Sequence, residues 1–466
     1  GHCLTDNVYG AMYMFGQNFG LDMDLVERIE VVRGPTSALY GSNGVFATVN
    51  IVTRAPVDAP AGYASVEYGE AGAKKVIAAG SIYLGRGANL LVSASGLAAS
   101  GRTAFIENVL QPGSGAWAHR LDAARGYDAF AQLTWAGWSV TAKLGTQRTT
   151  DDAGWFGGVV GDRRTESRDG HNFIEASWRR ALGASSEFSW RFSYDQFSFD
   201  GAYALPEDSA GEGLTLDVAR GDWVSSRFAL RAPIPLLGDL VVGAEGRADL
   251  RTLQREFTAA EPDRYLVDAR RRNAGWGVFA QQQVVFSPRW TAFIGLRGDD
   301  SRLYRHSVTP RAGVVYARSP ATTIKFLYGK AFRDPSAYER FYTPNPALAP
   351  ERARTYEAVL EKSFGARVEA ALSVYRYSIH GLMEGVTDSE GYMHYWNGPD
   401  RRAQGIEFEG QAKAGRGIEL SGSLALQSTH SDGWAGRLPN SPRALGLLRA
   451  MVPAAGGRLN ISPAAR

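Results

Sequence analysis

Cysteine is almost absent: Cys3 is the one cysteine among 466 residues. An internal disulfide is excluded, and a thiolate metal centre with it. The seven histidines are scattered. His2-Cys3 has no further ligand at metal-binding spacing, so no metal site is expected, and Cys3 reads as a small buried side chain. No run of about 18 uncharged apolar residues occurs, so a transmembrane helix is excluded. Lys and Arg (51) nearly balance Asp and Glu (48), for a net charge of +3. The basic residues are dispersed, and no nucleic-acid partner is expected. Gly-x-Ser-x-Gly, His-Glu-x-x-His and Walker loops are missing, and Gly85-Arg-Gly87 has Leu90 where a dinucleotide fingerprint needs its third glycine. The chain therefore reads as a non-enzyme, with no catalytic residue and no cofactor. Gly1-His2-Cys3-Leu4 has neither the basic nor the apolar segment of a signal peptide.

Period-two alternation is what the chain has instead. Phe188, Trp190, Phe192 and Tyr194 alternate with Ser189, Arg191, Ser193 and Asp195. Ile324, Phe326 and Tyr328 do the same, as do Leu420, Leu424 and Leu426. One face of each run is lipid-like and the other wetter. Mean hydropathy is only −0.23, yet membrane barrels reach such values because their strands point apolar groups out and polar groups in. Runs of roughly 9–15 residues exceed the usual sandwich strand of about 5–6. The connections alternate in length. Tight ones stand at Ala136-Gly137, Leu182-Gly183-Ala184, Ser287-Pro288, Phe364-Gly365-Ala366 and Ala414-Gly415. Long ones span 99–124, 150–169, 200–220, 255–269, 332–350 and 429–440. Short turns on one rim and long loops on the other describe an outer-membrane barrel. Trp135, Trp138, Phe286 and Trp290 flank tight turns, where amphipathic rings favour a membrane interface. The register gives about 19 strands, the last near 457–466, whereas bacterial single-chain barrels have an even number. A soluble all-β binding protein shares the period of two, and a detergent requirement separates the two readings.

Val26–Arg54 carries the most specific pattern. Ile29 to Val32 alternate as a strand, Gly34 permits a sharp turn, and Pro35 suits a first helical position. A short helix over Pro35–Tyr40 stops at Gly41 and Gly44, and Val45, Ala47, Val49 and Ile51 form a second strand. Glu27 to Pro35, Leu39 to Gly41 and Asn50 to Thr53 resemble the end of the plug domain of TonB-dependent outer-membrane receptors. That end is an ERIEV-type strand closing in Arg-Gly-Pro, a helix ending Leu-Tyr-Gly and an Asn-Ile-Ile-Thr-like strand. Phe46-Ala47 departs from the two glycines many members carry. A second match runs from Tyr328-Gly-Lys-Ala-Phe-Arg-Asp-Pro-Ser-Ala-Tyr-Glu to Asn345-Pro-Ala-Leu-Ala-Pro-Glu351; there Phe332 and Pro335 shape a loop exit. The resemblance implies an all-β fold: a transmembrane antiparallel barrel, about 19 of an expected 22 strands, with a small α+β plug remnant. Residues 1–56 would be the C-terminal part of the plug and 57–466 the barrel, with Pro56, Pro60 and Gly62 as linker. The chain would begin mid-plug, without signal peptide or TonB box, and end about three strands early.

A barrel this wide needs a plug or becomes a channel. By the resemblance, Arg33 contacts two barrel glutamates, Glu357 and Glu407; the bland alternative is that both are ordinary polar lumen residues. Gly34, Pro35 and Gly41 carry the plug motif. Aromatic groups in long loops are candidate ligand contacts: Trp155 with Phe156, Tyr203, Tyr342, and Tyr395-Trp396 after His394. Charged candidates are Asp151-Asp152, Arg163-Arg164 and Arg270-Arg271-Arg272. Aromatic and arginine groups suit an aromatic iron chelate. The implied function is energised, TonB-coupled uptake of a scarce solute, most simply a ferric siderophore or similar metal chelate. The alternative is a passive porin-like barrel. The expected partners are outer-membrane lipid, the TonB energising complex and a small-molecule ligand, in a monomer in the outer membrane of a Gram-negative-type bacterium.

Overall fold

Alternation along Ser186–Ala204 turns Phe192 and Tyr194 outward and buries Ser193 and Asp195. The same parity in its neighbours builds one wall. The computed structural model describes residues 2–465 except 11–20, 37, 39–40, 108–114, 151–152, 155–157, 207–212, 236, 304–305, 343, 388–392, 434–437 and 455–458. Twenty strand segments form a closed antiparallel barrel in sequence order, from Tyr63–Tyr68 round to Ala444–Ala454 and two short pieces, Leu459–Ile461 and Ala464–Ala465. Two hairpins stand outside this order, Arg102–Glu107 with Gly115–Leu121 and Met383–Thr387 with Met393–Asn397. The outward residues Leu420, Leu424 and Leu426 are exposed rather than packed between two sheets. A sandwich is thereby excluded.

Each tight turn read from the sequence joins neighbouring strands. Two of the long connections are shorter than expected, because the strands continue through them. Ser186–Ala204 and Leu214–Ile234 reach into 200–220, and Gly238–Thr258 and Tyr265–Ser287 leave only 259–264 between them. There the wall stands tall, with strands of up to 23 residues. Near the tight-turn rim, outward aromatics pair across strands. Trp138 stacks on Trp178 at 5.8 Å, Trp190 on Phe228 at 6.4 Å and Trp290 on Tyr316 at 4.4 Å. These rings form the girdle that an interface favours.

Inside the ring, Val26–Arg33 pairs antiparallel with Ala47–Thr53, matching Ile29 with Ile51 and Val31 with Val49. The expected helix over Pro35–Tyr40 falls partly outside the described residues. Cys3 is exposed, not buried as read from sequence, because its neighbour His2 is the side chain that turns into the wall.

Candidate functional site

The inner hairpin meets the wall through charge. Arg33 Nη1 lies 3.5 Å from Glu407 Oε2, and Nη2 donates to Glu409 Oε1. Glu407 and Glu409 are two residues apart on Arg401–Lys413, so both point inward. The hydrogen bond to Glu409 holds the Arg33 guanidinium above its ordinary pKa, with Glu407 and Glu357 adding charge. Arg33 makes no hydrogen bond to Glu357 among the described residues; Glu357 Oε2 lies 4.0 Å from where a Cβ on Gly34 would stand. Glu409 is the partner that the sequence reading missed, although its even spacing from Glu407 signalled the same face.

The plug motif is explained by close approach. Gly34 and Gly41 have φ of +80° and +77°, where an L side chain is strained. A Cβ on Gly41 would also lie 2.9 Å from Nη2 of the buried Arg297. Asn43 N donates to Phe332 O at 3.1 Å, and Asp334 N donates to Ser42 Oγ at 3.0 Å. Phe46, the departure from glycine, sets its ring edge-on to Tyr377 of the wall at 6.0 Å. Beside it Val45 is buried with Ala331, Ala353 and Ile379.

Toward the long-loop rim, Asp6 Oδ1 accepts from Val8 N and Tyr9 N, both at 2.7 Å, and turns the chain so that Val8 packs on Phe197, Phe199 and Trp223. Tyr203 packs against the same cluster. Tyr9 hands its hydroxyl hydrogen to Asp217 at 3.1 Å. Its ring lies 5.4 Å from Tyr338, which in turn lies 4.8 Å from Tyr342 and 5.7 Å from Tyr395. Tyr342 donates to Glu256. Burial first, then the adjacent carboxylate, pushes both phenols far above their ordinary range, so Tyr9 and Tyr342 stay protonated donors. Arg271 sits over the Phe341 ring at 4.6 Å. Trp396 is exposed on the hairpin beside Tyr395. Trp155, Phe156, Asp151 and Asp152 lie outside the described residues. Arg164 is engaged by Asp162 of its own loop.

The Phe-Arg-Asp-Pro-Ser motif builds this rim. Ser336 caps the short helix Ala337–Phe341 in a reciprocal box with Glu339. Arg333 holds Glu339 at 2.9 Å and Glu351 at 2.7 Å, pinning both ends of the loop. Asn345 Nδ2 donates to Tyr395 O and Asn397 Nδ2 to Ala349 O, each at 2.8 Å. Tyr338 N donates to Val8 O at 2.9 Å and ties the loop to the inner segment.

Residues 116–451 match the sequence profile described as TonB dependent receptor-like, beta-barrel, and residues 3–48 that of the TonB-dependent receptor plug domain. The chain belongs to the TonB-dependent receptor family. It is 23% identical over 420 residues to the vitamin B12 transporter BtuB of Vibrio cholerae, covering 85% of this chain and 61% of that protein. Among solved structures it is similar to the pyoverdine outer membrane receptor FpvA of Pseudomonas aeruginosa PAO1. There the TM-score is 0.74 at 13% identity, over 96% of this chain and 73% of the other. The ferric enterobactin receptor PfeA of Pseudomonas aeruginosa gives a TM-score of 0.72 at 16% identity, over 93% and 71%. At these identities the structural likeness is one of fold.

In this TonB-dependent receptor, Tyr342 and Tyr395 are brought together by Tyr338, and Tyr203 joins them through the Val8 cluster that also supports Tyr9. Tyr9 and Tyr338 escaped the sequence reading. For the cluster under Tyr9 a signal existed: aromatic parity switches within one strand, from outward Phe192 and Tyr194 to inward Phe197 and Phe199.

Proposed function

We propose that this receptor takes up a scarce solute, a ferric siderophore or similar metal chelate, across the outer membrane by work delivered through TonB. The observation that carries this reading is the half-buried aromatic rim of Tyr9, Tyr338, Tyr342 and Tyr395, with the exposed Arg271 over the neighbouring Phe341, placed where the inner segment meets the long loops. An aromatic, negatively charged chelate offers faces for the phenols and charge for the guanidinium. FpvA, named as a pyoverdine receptor, and PfeA, named as a ferric enterobactin receptor, support this class, while BtuB makes vitamin B12 the natural comparison compound.

Residues 1–56 act as plug and 57–466 as wall in this reading. Arg33 with Glu407, Glu409 and Glu357 would be the lock between them. Exposed ion pairs contribute only about 0–1 kcal/mol each, which sets register without preventing movement. Plug side chains spread across the lumen support gated uptake over a passive channel. The outward girdle supports a setting in outer-membrane lipid, and the one closed ring supports a monomer.

The test uses cells carrying the complete reading frame. Ferric siderophores should bind with or without a working TonB and accumulate only with it. Deleting loops 150–169, 332–350 and 380–400 together should abolish binding. TonB-independent accumulation at full rate overturns the reading in favour of a porin.

A further inference from the structure

Three ligand-type atoms from separate segments converge on the lumen wall, beside the Val8 and Trp223 cluster that supports the aromatic rim. Ligand atoms of His2, His171 and Asp195, one from each, lie within 4.8 Å of one another, and Asp195 Oδ1 is 2.7 Å from His2 Nε2 and 3.0 Å from His171 Nε2. His2 belongs to the inner segment; His171 and Asp195 belong to the adjacent strands Glu166–Leu182 and Ser186–Ala204. We propose that this triad binds one borderline divalent transition-metal ion, of which Zn2+ is the type, and so ties the plug to the barrel wall.

The hydrogen-bond pattern calls for a cation. Glu175 Oε2 stands 3.1 Å from His2 Nδ1 and, in the Nδ1–H tautomer, accepts its hydrogen. The neutral ring then points its Nε2 lone pair at Asp195 Oδ1, 2.7 Å away. Two lone pairs at that distance need a positive centre, either a second proton or a metal ion. The same oxygen also faces His171 Nε2 at 3.0 Å. Metal–ligand distances of about 2.0–2.1 Å require tetrahedral ligand atoms roughly 3.3 Å apart; the two nitrogen–oxygen distances of 2.7 and 3.0 Å lie within about 0.6 Å of that spacing.

The surroundings are those of a built site. Glu175 fixes the His2 tautomer, and Ser193 Oγ donates to Asp195 Oδ2 at 2.9 Å, the outer support that metal-bound imidazole and carboxylate use. The His2 ring stacks on Phe173 at 4.0 Å, and His171 lies 5.3 Å from the Trp223 ring, which limits water. Two residues before His171 on the same strand face, the buried Asp169 has no hydrogen-bond partner for either oxygen among the described residues. Lys143 stands on the same wall, its Nζ donating to His171 O at 2.8 Å. Two imidazoles and a carboxylate select zinc-like ions over Ca2+ or Mg2+.

The experiment is Zn2+ titration of the EDTA-treated, full-length receptor in detergent, with zinc-edge X-ray absorption on the unmutated protein. One Zn2+ per chain with two imidazoles in its shell is the expected result. His171→Gln and Asp195→Asn should each weaken binding about 100-fold or more, and Glu175→Gln about 10–100-fold. Cys3→Ser should leave affinity unchanged. Folding of each variant is checked by heat-modifiable mobility, and where one fails to fold the unmutated spectrum decides. Absence of stoichiometric Zn2+, a shell without imidazole, or full affinity in folded His171→Gln overturns the proposal.

Discussion

Pro35 of the inner segment rests on Gly329 of the barrel wall: a Cβ added at Gly329 would lie 2.7 Å from Pro35 Cγ and 3.4 Å from its Cβ. A proline ring cannot rotate away as a long side chain does. Gly329→Ala should therefore unseat the plug by about 1–3 kcal/mol, the usual cost of overpacking, while the strand itself tolerates alanine. Urea titration of plug release, read as conductance opening in planar bilayers, should shift to lower urea. An unchanged midpoint would mean that Pro35 is not seated on the wall.

The Arg33 cluster makes a ranked prediction. Arg33 and Glu409 are 56% and 43% exposed as side chains, so screening keeps their coupling in the range of about 0.2–1 kcal/mol. Double-mutant cycles on plug release should rank Glu409 first, Glu407 second and Glu357 last. All three couplings should shrink in high salt. A dominant Glu357 coupling would contradict the geometry.

Asp334 gives a pH signature. Burial, then the charge of Asp299, pushes its carboxyl up from 3.8 to about 7 despite Arg333 beside it, and Oδ1 has no hydrogen-bond partner among the described residues. A carboxyl whose folded pKa lies above its unfolded value binds its proton more tightly when folded. Its contribution is complete below about pH 4 and is lost as pH rises through 7. Asp334→Asn should stabilise plug seating at pH 8 by roughly 1–3 kcal/mol and leave it nearly unchanged at pH 4. Thermal melts at the two pH values measure the difference, and equal effects at both would refute the assignment.

The rim predicts an order of effects on solute binding. Tyr338 touches Tyr9, Tyr342 and Tyr395, so Tyr338→Ala should weaken ferric-siderophore binding more than Tyr395→Ala. Each lost aromatic contact corresponds to about 0.5–1.5 kcal/mol, or roughly 2–10-fold in Kd. Trp396→Ala, at an exposed position, should have the smallest effect. Fluorescence quenching on the full-length receptor supplies the Kd values; a reversed order would move the site away from Tyr9.

Local chemistry alone determined much of this protein. The period of two in 188–194 and 420–426, and the turn residues at 136–137 and 365–366, follow from backbone geometry and the two solvents a strand faces. They specified a barrel, its inward face and its short-turn rim. Arg33-Gly34-Pro35 and Gly41 marked the inner hairpin, because a positive φ and a close approach leave a residue-type signature. Tertiary structure alone decided which distant positions meet. Glu409 instead of Glu357 takes the Arg33 bond because the seating of the hairpin within the ring sets the distance, and that is not encoded within one strand. His2, His171 and Asp195 lie far apart along the chain and share no local pattern; closure of the ring around the inner segment brings them within 4.8 Å. Tyr338 becomes the centre of the rim because Arg333, Ser336 and Glu339 fold the loop back onto Val8. That is a long-range hydrogen-bond outcome, and alternation of side chains carries no trace of it.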